Sequence, residues 1–459
     1  MSNIWWIRRD LRLGDQPTLH AATAAGPVVA LYVLDPVLLR AAAPRRREFL
    51  LACLRSLDAD LRRLGGQLTV RTGRPATVLR EVLAQTGAQS IFAEEDFTPY
   101  ARRRDASVAQ VCDLRLIQGQ CLQPPGAVLK TDGTPYVVYT PYARAWRQRL
   151  PSPVSALPVP KNIQFLEGVA SEPIPAAGQP SGFLAGEAEA GGRLRQFLQH
   201  RIFDYGKRRD RMDLDGTSGL SPYVRFGVLS MRTLVAAALR AQAEAAGTAA
   251  QNSAETWLGE LIWREFYIQI LYHFPHVARA PFRAGFAGIQ WNTQESEFQR
   301  WKNGETGVPI VDAGMRQLRE TGWMHNRARM ITASYLVKDL LINWQWGERW
   351  FMDNLIDGDP GANNGGWQWT AGTGTDAAPY FRIFNPVLQG KRFDPDGSYV
   401  RQWVPELAGL PAKSIHAPWE GGLVVPGYPQ QPLVDHKSAI RRTRLAYEAA
   451  KDGSATKGL

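Results

Sequence analysis

The chain has 459 residues, enough for two or three domains and a sizeable core, and its 44% apolar and 21% charged residues are the balance of a soluble globular protein. Lys and Arg exceed Asp and Glu by 11, a surplus that suits nucleic acid as a partner, while three cysteines without a CxxC pair exclude a disulfide scaffold and fit a reducing cytoplasm. No apolar run reaches membrane-spanning length, and Met1–Asp10 lacks the basic-then-apolar pattern of a signal peptide.

Residues 1 to about 125 alternate β-rich and helical runs. Strands are expected at Ile4–Ile7, Val28–Leu34, Gln67–Arg71, Ser90–Ala93 and Leu114–Gln118, with helices at Thr18–Ala25, Arg46–Leu64, Ala76–Thr86 and Ala101–Cys112 between them. Gly65-Gly66 and Gly87 fall where helix-to-strand turns need them. The alternation predicts a Rossmann-like, doubly wound parallel sheet, an α/β domain placed at 1–130. No GxGxxG follows the first strand, so a dinucleotide site of that kind is not indicated. Composition turns to Pro, Gly, Ala and Ser from Leu150 to about Ala190, and 131–195 is read as a connecting linker. Helical patterns dominate afterwards, at Leu194–Asp204, Met231–Ala246, Ala254–His273, Pro309–Glu320, Asn326–Leu341, Gly347–Leu355 and Lys437–Lys451. Residues 196–459 are therefore read as an all-α domain.

Several constellations in that half invite chemistry. Glu260, Trp263 and Tyr267 share one helix face, with Arg264 beside them. A face mixing a carboxylate with two aromatics suits a wall that stacks on and hydrogen-bonds to a flat polar ring, although a core helix with one incidental charge has the same pattern. In Trp323–Met330, Asn326, Arg329 and Met330 share a face; an Asn at a helix start commonly caps it, and a lone His325 is more often structural than catalytic. Asp215–Ser221 gathers hydroxyls and glycines before a helical pattern, with Tyr205 and Lys207–Arg209 upstream. That loop suits a diphosphate, a nucleic-acid backbone or an ordinary cap. Gly358–Trp369 sets two Trp in what reads as a small-residue loop, suggesting a shaped aromatic cavity. Trp291, Trp344 and Trp367 are core rings or, if they lie near one another, a route for single electrons.

These motifs together resemble the DNA photolyase and cryptochrome family. The resemblance is carried by Trp5–Arg12 (WWIRRDLR), Gly216–Ser221, Trp257–Tyr267 (WLGELIWREFY), Trp323–Met330 (WMHNRARM), Asp357–Trp369 (DGDPGANNGGWQW) and Thr375–Gly390 (TDAAPYFRIFNPVLQG). It spans nearly the whole chain and looks most like the class I photolyases that repair cyclobutane pyrimidine dimers. It implies an N-terminal antenna domain and a helical domain holding FAD, active in its fully reduced form, near a pocket for a flipped-out dimer. By position Tyr205, Thr217, Ser218, Gly219, Leu220 and Ser221 match its diphosphate-contacting loop. Asp357, Gly358 and Asp359 match the segment beside the ribityl chain and flavin ring, and Asn363 the residue facing flavin N5. Gly219 departs from the Arg or Lys of many relatives. Trp263 and Trp369 match the indoles flanking the dimer, and Glu260 the acid that hydrogen-bonds it. Tyr267, Asn326 and Met330 match further pocket contacts, and Arg209, Arg327 and Gln389 DNA-contacting positions. Trp367, Trp344 and Trp291 match the electron-transfer triad. Light-driven transfer of one electron from the flavin to the dimer, then back, is the implied reaction.

Asp96–Asp105 resembles the antenna site of the deazaflavin- or FMN-binding type rather than the folate type, with Asp96, Arg46 and Arg47 as its residues. The partner implied is ultraviolet-damaged DNA, double- or single-stranded, met by a cytoplasmic monomer with no membrane and no metal site. A (6-4) photolyase fits less well, because it expects a His pair near 324–326 and only His325 is present. A blue-light cryptochrome receptor is opposed by the two lesion-stacking Trp, by Asn363 where plant-type cryptochromes carry an acid, and by the absence of a long tail.

Overall fold

Five short runs rich in β-branched and aromatic residues pair as a parallel sheet. In the computed structural model, which describes residues 2–176, 178 and 182–455, they are β1 (Asn3–Ile7), β2 (Val28–Leu34), β3 (Leu68–Thr72), β4 (Ser90–Glu94) and β5 (Leu114–Ile117). Their order is β3-β2-β1-β4-β5. β1 lies in the middle and is wholly buried, with Trp5 in register with Ala30 on one side and Phe92 on the other. The winding reverses between β1 and β4, and in such sheets ligands gather at the carboxyl ends of the strands flanking that point.

The sheet helices are α1 (Pro17–Ala24), α2 (Pro36–Ala41), α3 (Pro44–Arg63), α4 (Pro75–Thr86) and α5 (Pro99–Ala109). Each begins with Pro, whose fixed φ and missing N–H suit the first helical position. The expected starts at Thr18, Arg46, Ala76 and Ala101 fall late for that reason. Then come α6 (Tyr139–Gln148), α7 (Glu187–His200), α8 (Tyr205–Arg208), α9 (Ser221–Arg225), α10 (Met231–Glu244) and α11 (Thr248–His273). The stretch read as a connector thus carries α6. It also holds an extended run along the sheet, where Val28 N donates to Gln164 O at 2.8 Å and Leu166 N to Val28 O at 3.0 Å.

The remaining helices are α12 (Glu295–Asn303), α13 (Pro309–Thr321), α14 (Asn326–Ser334), α15 (Trp344–Asn354), α16 (Pro360–Ala371), α17 (Pro386–Phe393), α18 (Ser398–Trp403), α19 (Ala412–Ile415) and α20 (His436–Ala455). Packing divides the chain into two units, Met1–Gly206 with Ser218–Pro275 and Lys207–Thr217 with His276–Leu459. The core of the second is built around Trp301, Leu318, Leu336, Phe351 and Trp367.

Two elements there differ from the sequence reading. The single helix expected over Asn326–Leu341 stops at Ser334, and Tyr335–Asp339 form a π-turn that ends with Leu341 at a positive φ of 56°. The expected small-residue loop before Trp367 is instead α16. Asp359 caps it by accepting from Gly361 N at 3.0 Å and Ala362 N at 3.3 Å, Pro360 opens it, and Gly372 closes it in the left-handed conformation. These start and stop signals outweigh the poor helix propensity of its Gly and Asn.

Candidate functional site

The two sides of α11 differ in burial. Trp257, Leu258, Leu261, Ile262, Glu265 and Phe266 are buried, whereas Glu260, Trp263, Arg264 and Tyr267 are half-buried. Glu260, Trp263 and Tyr267 do share the more open face. Trp263 stacks on Tyr139 of α6, with centroids 3.6 Å apart and planes 4° from parallel, and Tyr139 Oη donates to Gly259 O at 2.8 Å. Tyr267 flanks the indole at 5.5 Å and 29°. A Trp held this way offers a rigid stacking surface.

Glu265 is the residue the sequence reading missed on this helix. It accepts from Leu122 N, from Gln123 N at 3.1 Å and from Trp146 Nε1 at 2.6 Å. Burial raises its pKa, and these donors oppose the rise. The signal was a carboxylate in step with Leu258 and Leu261, since a buried acid must find partners.

In the second unit His325, not Asn326, caps α14: its Nδ1 accepts from Arg327 N at 3.1 Å. Asn326 is exposed at the first helical position. Burial pushes His325 down to about 4, and its Nε2 is buried without a partner. The neutral ring therefore carries its proton on Nε2. Arg327 pairs with Asp210 at 2.8 Å and lies over the Phe393 ring at 4.4 Å, and Arg209 is 3.9 Å from the same carboxylate. Met330 and Gln389 are half-buried, on α14 and α17.

Asp357 and Asp359 are both buried. Arg329 holds Asp357 Oδ2 at 2.8 Å, while Asp357 Oδ1 has no hydrogen-bond partner. Asn363 Nδ2 donates to Glu348 O at 3.0 Å, which fixes the amide, and Asn364 Nδ2 donates to Glu348 Oε1 at 2.9 Å. Burial pushes Glu348 up to about 7.

Trp367 is buried edge-on to Phe351 at 4.9 Å and to Trp301 at 6.2 Å. A Cβ on Gly347 of α15 would lie 2.1 Å from the Trp367 ring, so only glycine lets the two helices meet there. Trp344 is buried, Trp291 and Trp369 are half-buried, and among the described residues no ring contact joins two of the three triad positions directly.

The expected phosphate loop divides between the units. Tyr205 is buried edge-on to Phe197 at 5.8 Å in the first. Thr217, Ser218 and Gly219 are half-buried, Leu220 is buried, and Ser221 is exposed at the start of the five-residue α9. Gly219 adopts a φ of +62°. A Cβ on Gly216 would lie 2.4 Å from Arg208 O, so the loop requires glycine there.

Of the antenna candidates, Arg46 is buried with Nη2 on Ala41 O at 3.2 Å, and Arg47 is exposed. Asp96 accepts from Thr98 N at 3.0 Å; burial raises its pKa, but Arg9 and Arg104 outweigh that and hold it ionised. Tyr100 in the first turn of α5 donates to Asp35, the cap of α2, and so links the segments that follow β4 and β2, the strands flanking β1.

Residues 3–161 match the family model described as DNA photolyase, and residues 257–449 match the FAD binding domain of DNA photolyase. The chain is 42% identical to the deoxyribodipyrimidine photo-lyase of Salmonella typhimurium, over 99% of this chain and 100% of that one. It belongs to the DNA photolyase family. Among solved structures, a bacterial class III photolyase from Agrobacterium tumefaciens superposes with a TM-score of 0.91 at 35% identity, covering 98% of both chains. An archaeal photolyase from Sulfolobus tokodaii, solved with two FAD molecules, gives 0.84 at 30%, covering 98% of this chain and 100% of that one. The residues present fit the flavin of a photolyase: Asp357 Oδ1 is a buried acceptor without a hydrogen-bond partner, and the amide of Asn363 on α16 is fixed by Glu348 O.

Proposed function

We propose that the chain repairs cyclobutane pyrimidine dimers in ultraviolet-damaged DNA by light-driven electron transfer. The observation that carries this reading is Trp263, backed by Tyr139 at 3.6 Å and sharing its helix face with Glu260. Tyr205, Thr217–Ser221, Asp357–Asp359 and Asn363 would hold FAD. Bound FAD supplies, when reduced and excited by light, the single electron that opens the dimer and is returned afterwards. Trp263 and Trp369 stack on the flipped dimer, each base being worth about 1–3 kcal/mol. Glu260 hydrogen-bonds the pyrimidine edge and steadies the added charge. Asn326, Met330 and Tyr267 complete the pocket. Arg209, Arg327 and Gln389 meet the DNA backbone and set register rather than read sequence. Trp291, Trp344 and Trp367 carry electrons inward to reduce resting flavin. A second chromophore, a deazaflavin or FMN, would sit by Asp96, Arg46 and Arg47 in the domain at 1–130. All of these residues lie on one chain, so we infer a cytoplasmic monomer that takes double- or single-stranded substrate. Among the described residues no helix is long and apolar enough to cross a membrane.

The test is repair of ultraviolet-irradiated oligothymidine by the reduced holoprotein in blue light and in the dark. Recovery of thymine absorbance only in the light supports the reading. No recovery with reduced flavin bound overturns it, and the same assay on a (6-4) lesion then separates a (6-4) photolyase from a photoreceptor.

A further inference from the structure

Arg327, in the first turn of α14, already holds an anion. Asp210 Oδ1 accepts from its Nε at 3.3 Å and from its Nη2 at 2.8 Å. Those two N–H groups form the edge of a guanidinium that grips a phosphate or carboxylate as a fork. Arg209 Nε lies 3.9 Å from the same oxygen, so two cations share one carboxylate oxygen. The guanidinium of Arg327 is fixed independently of Asp210. It lies 4.4 Å over the ring of the buried Phe393 of α17, which Arg392 also covers at 5.0 Å.

The other acids paired with arginines in this unit are enclosed. Asp213 takes Arg211 Nε at 2.8 Å and Asp357 takes Arg329 Nη2 at 2.8 Å. Their side chains are 6% and 4% exposed, whereas that of Asp210 is 36% exposed. Asp210 therefore leaves its partner for water at little cost, as half-open ion pairs do. A phosphodiester carries the same single charge and has two terminal oxygens. In Asp210's place it takes the Arg327 fork and presents a second oxygen to Arg209, and Arg327 stays on Phe393 throughout.

We propose that Asp210 is a phosphate surrogate: it occupies Arg327 and Arg209 in the free protein, and a DNA phosphate must displace it to bind. This rests on the reading that Arg209 and Arg327 meet the DNA backbone. The exchange replaces one anion by another, so the two arginines add less affinity than they would uncovered. The carboxylate stays tethered beside the site and retakes the fork as a phosphate leaves, which hastens release of repaired DNA. It acts on the backbone and not on bases, so it loosens intact and damaged DNA alike and leaves lesion preference to the stacking residues.

The experiment is equilibrium and dissociation-rate measurement in the dark with the holoprotein, on an intact duplex and on one carrying a single thymine dimer, from about 50 to about 200 mM salt. Asp210→Asn should tighten both duplexes about two- to fivefold, mainly through slower dissociation. It should also steepen the slope of log affinity against log salt by up to about 1. Asp210→Glu keeps the charge and should stay close to the parent. In an Arg327→Ala background the gain from Asp210→Asn should largely vanish, because the competitor has lost the site it competes for. Weaker binding or a flatter slope in Asp210→Asn would mean that Asp210 positions Arg327 for DNA, and overturns the proposal. So does an unchanged affinity, a gain equally large in Asp210→Glu, or a gain that survives in full without Arg327. A salt slope indifferent to Arg327→Ala overturns instead the backbone reading beneath it.

Discussion

Glu260 and Glu265 lie on one helix, and burial decides what each does. Glu265 is enclosed and holds two backbone amides and an indole N–H; Glu260 is half-buried on the stacking face. Glu265→Gln sets an amide N–H against a donor and should cost about 1–3 kcal/mol in a thermal or denaturant melt. Glu260→Ala should slow repair several-fold and leave flavin absorbance unchanged. Trp367→Phe should block photoreduction of oxidised flavin yet spare repair by pre-reduced protein; normal photoreduction would remove Trp367 from the relay. Burial of Lys338 in the π-turn gives a pH signature. Its folded pKa of about 7 lies below the usual lysine value of about 10.4, so between them the unfolded chain binds the extra proton and stability rises with pH. Melting temperatures of the parent should therefore gain on those of Lys338→Met across that window. The open face of α11 was legible in sequence because spacing alone defines a face. Tyr139 and Glu265 were not singled out for function, because each acts through partners far away along the chain.

At the scale of elements, helix ends were harder to read than helix bodies. The strands were found almost residue for residue, since a parallel sheet buried on both faces demands unbroken apolar runs. α16 was read as a loop because its Gly and Asn were weighed by propensity and its Asp-Pro start was not weighed as a cap. Asp359→Ala should cost about 0.5–2 kcal/mol of stability through loss of that cap. If Asp359 also touches flavin, FAD affinity should fall as well, and the apoprotein melt separates the two effects. Gly347→Ala would drive a methyl group into Trp367 and should destabilise by about 1–3 kcal/mol. A shift in Trp fluorescence should accompany it. The π-turn had no signal in the sequence. Its extra residue shows only in the backbone, where Leu340 N donates to Tyr335 O at 3.0 Å, five residues back.

At the scale of the whole molecule, a net charge of +11 predicts DNA binding that weakens steeply with salt. Arg327→Ala should reduce the slope of log affinity against log salt by about 1 without changing the preference for damaged over undamaged DNA. An unchanged slope would show that Arg327 meets no phosphate. The α/β and helical composition was legible from the alternation of patterns. The way packing groups Ser218–Pro275 with the N-terminal residues was not, because sequence periodicity says nothing about which helix meets which sheet. The position of β1 has a consequence for synthesis. Its partner β2 follows closely, but β4 emerges only after β3 and three further helices, so one edge of the most buried strand stays unpaired for several seconds at about 5–20 residues per second. Nascent chains arrested before Ser90 should therefore recruit chaperones or aggregate, and those arrested well beyond Ile117 should not.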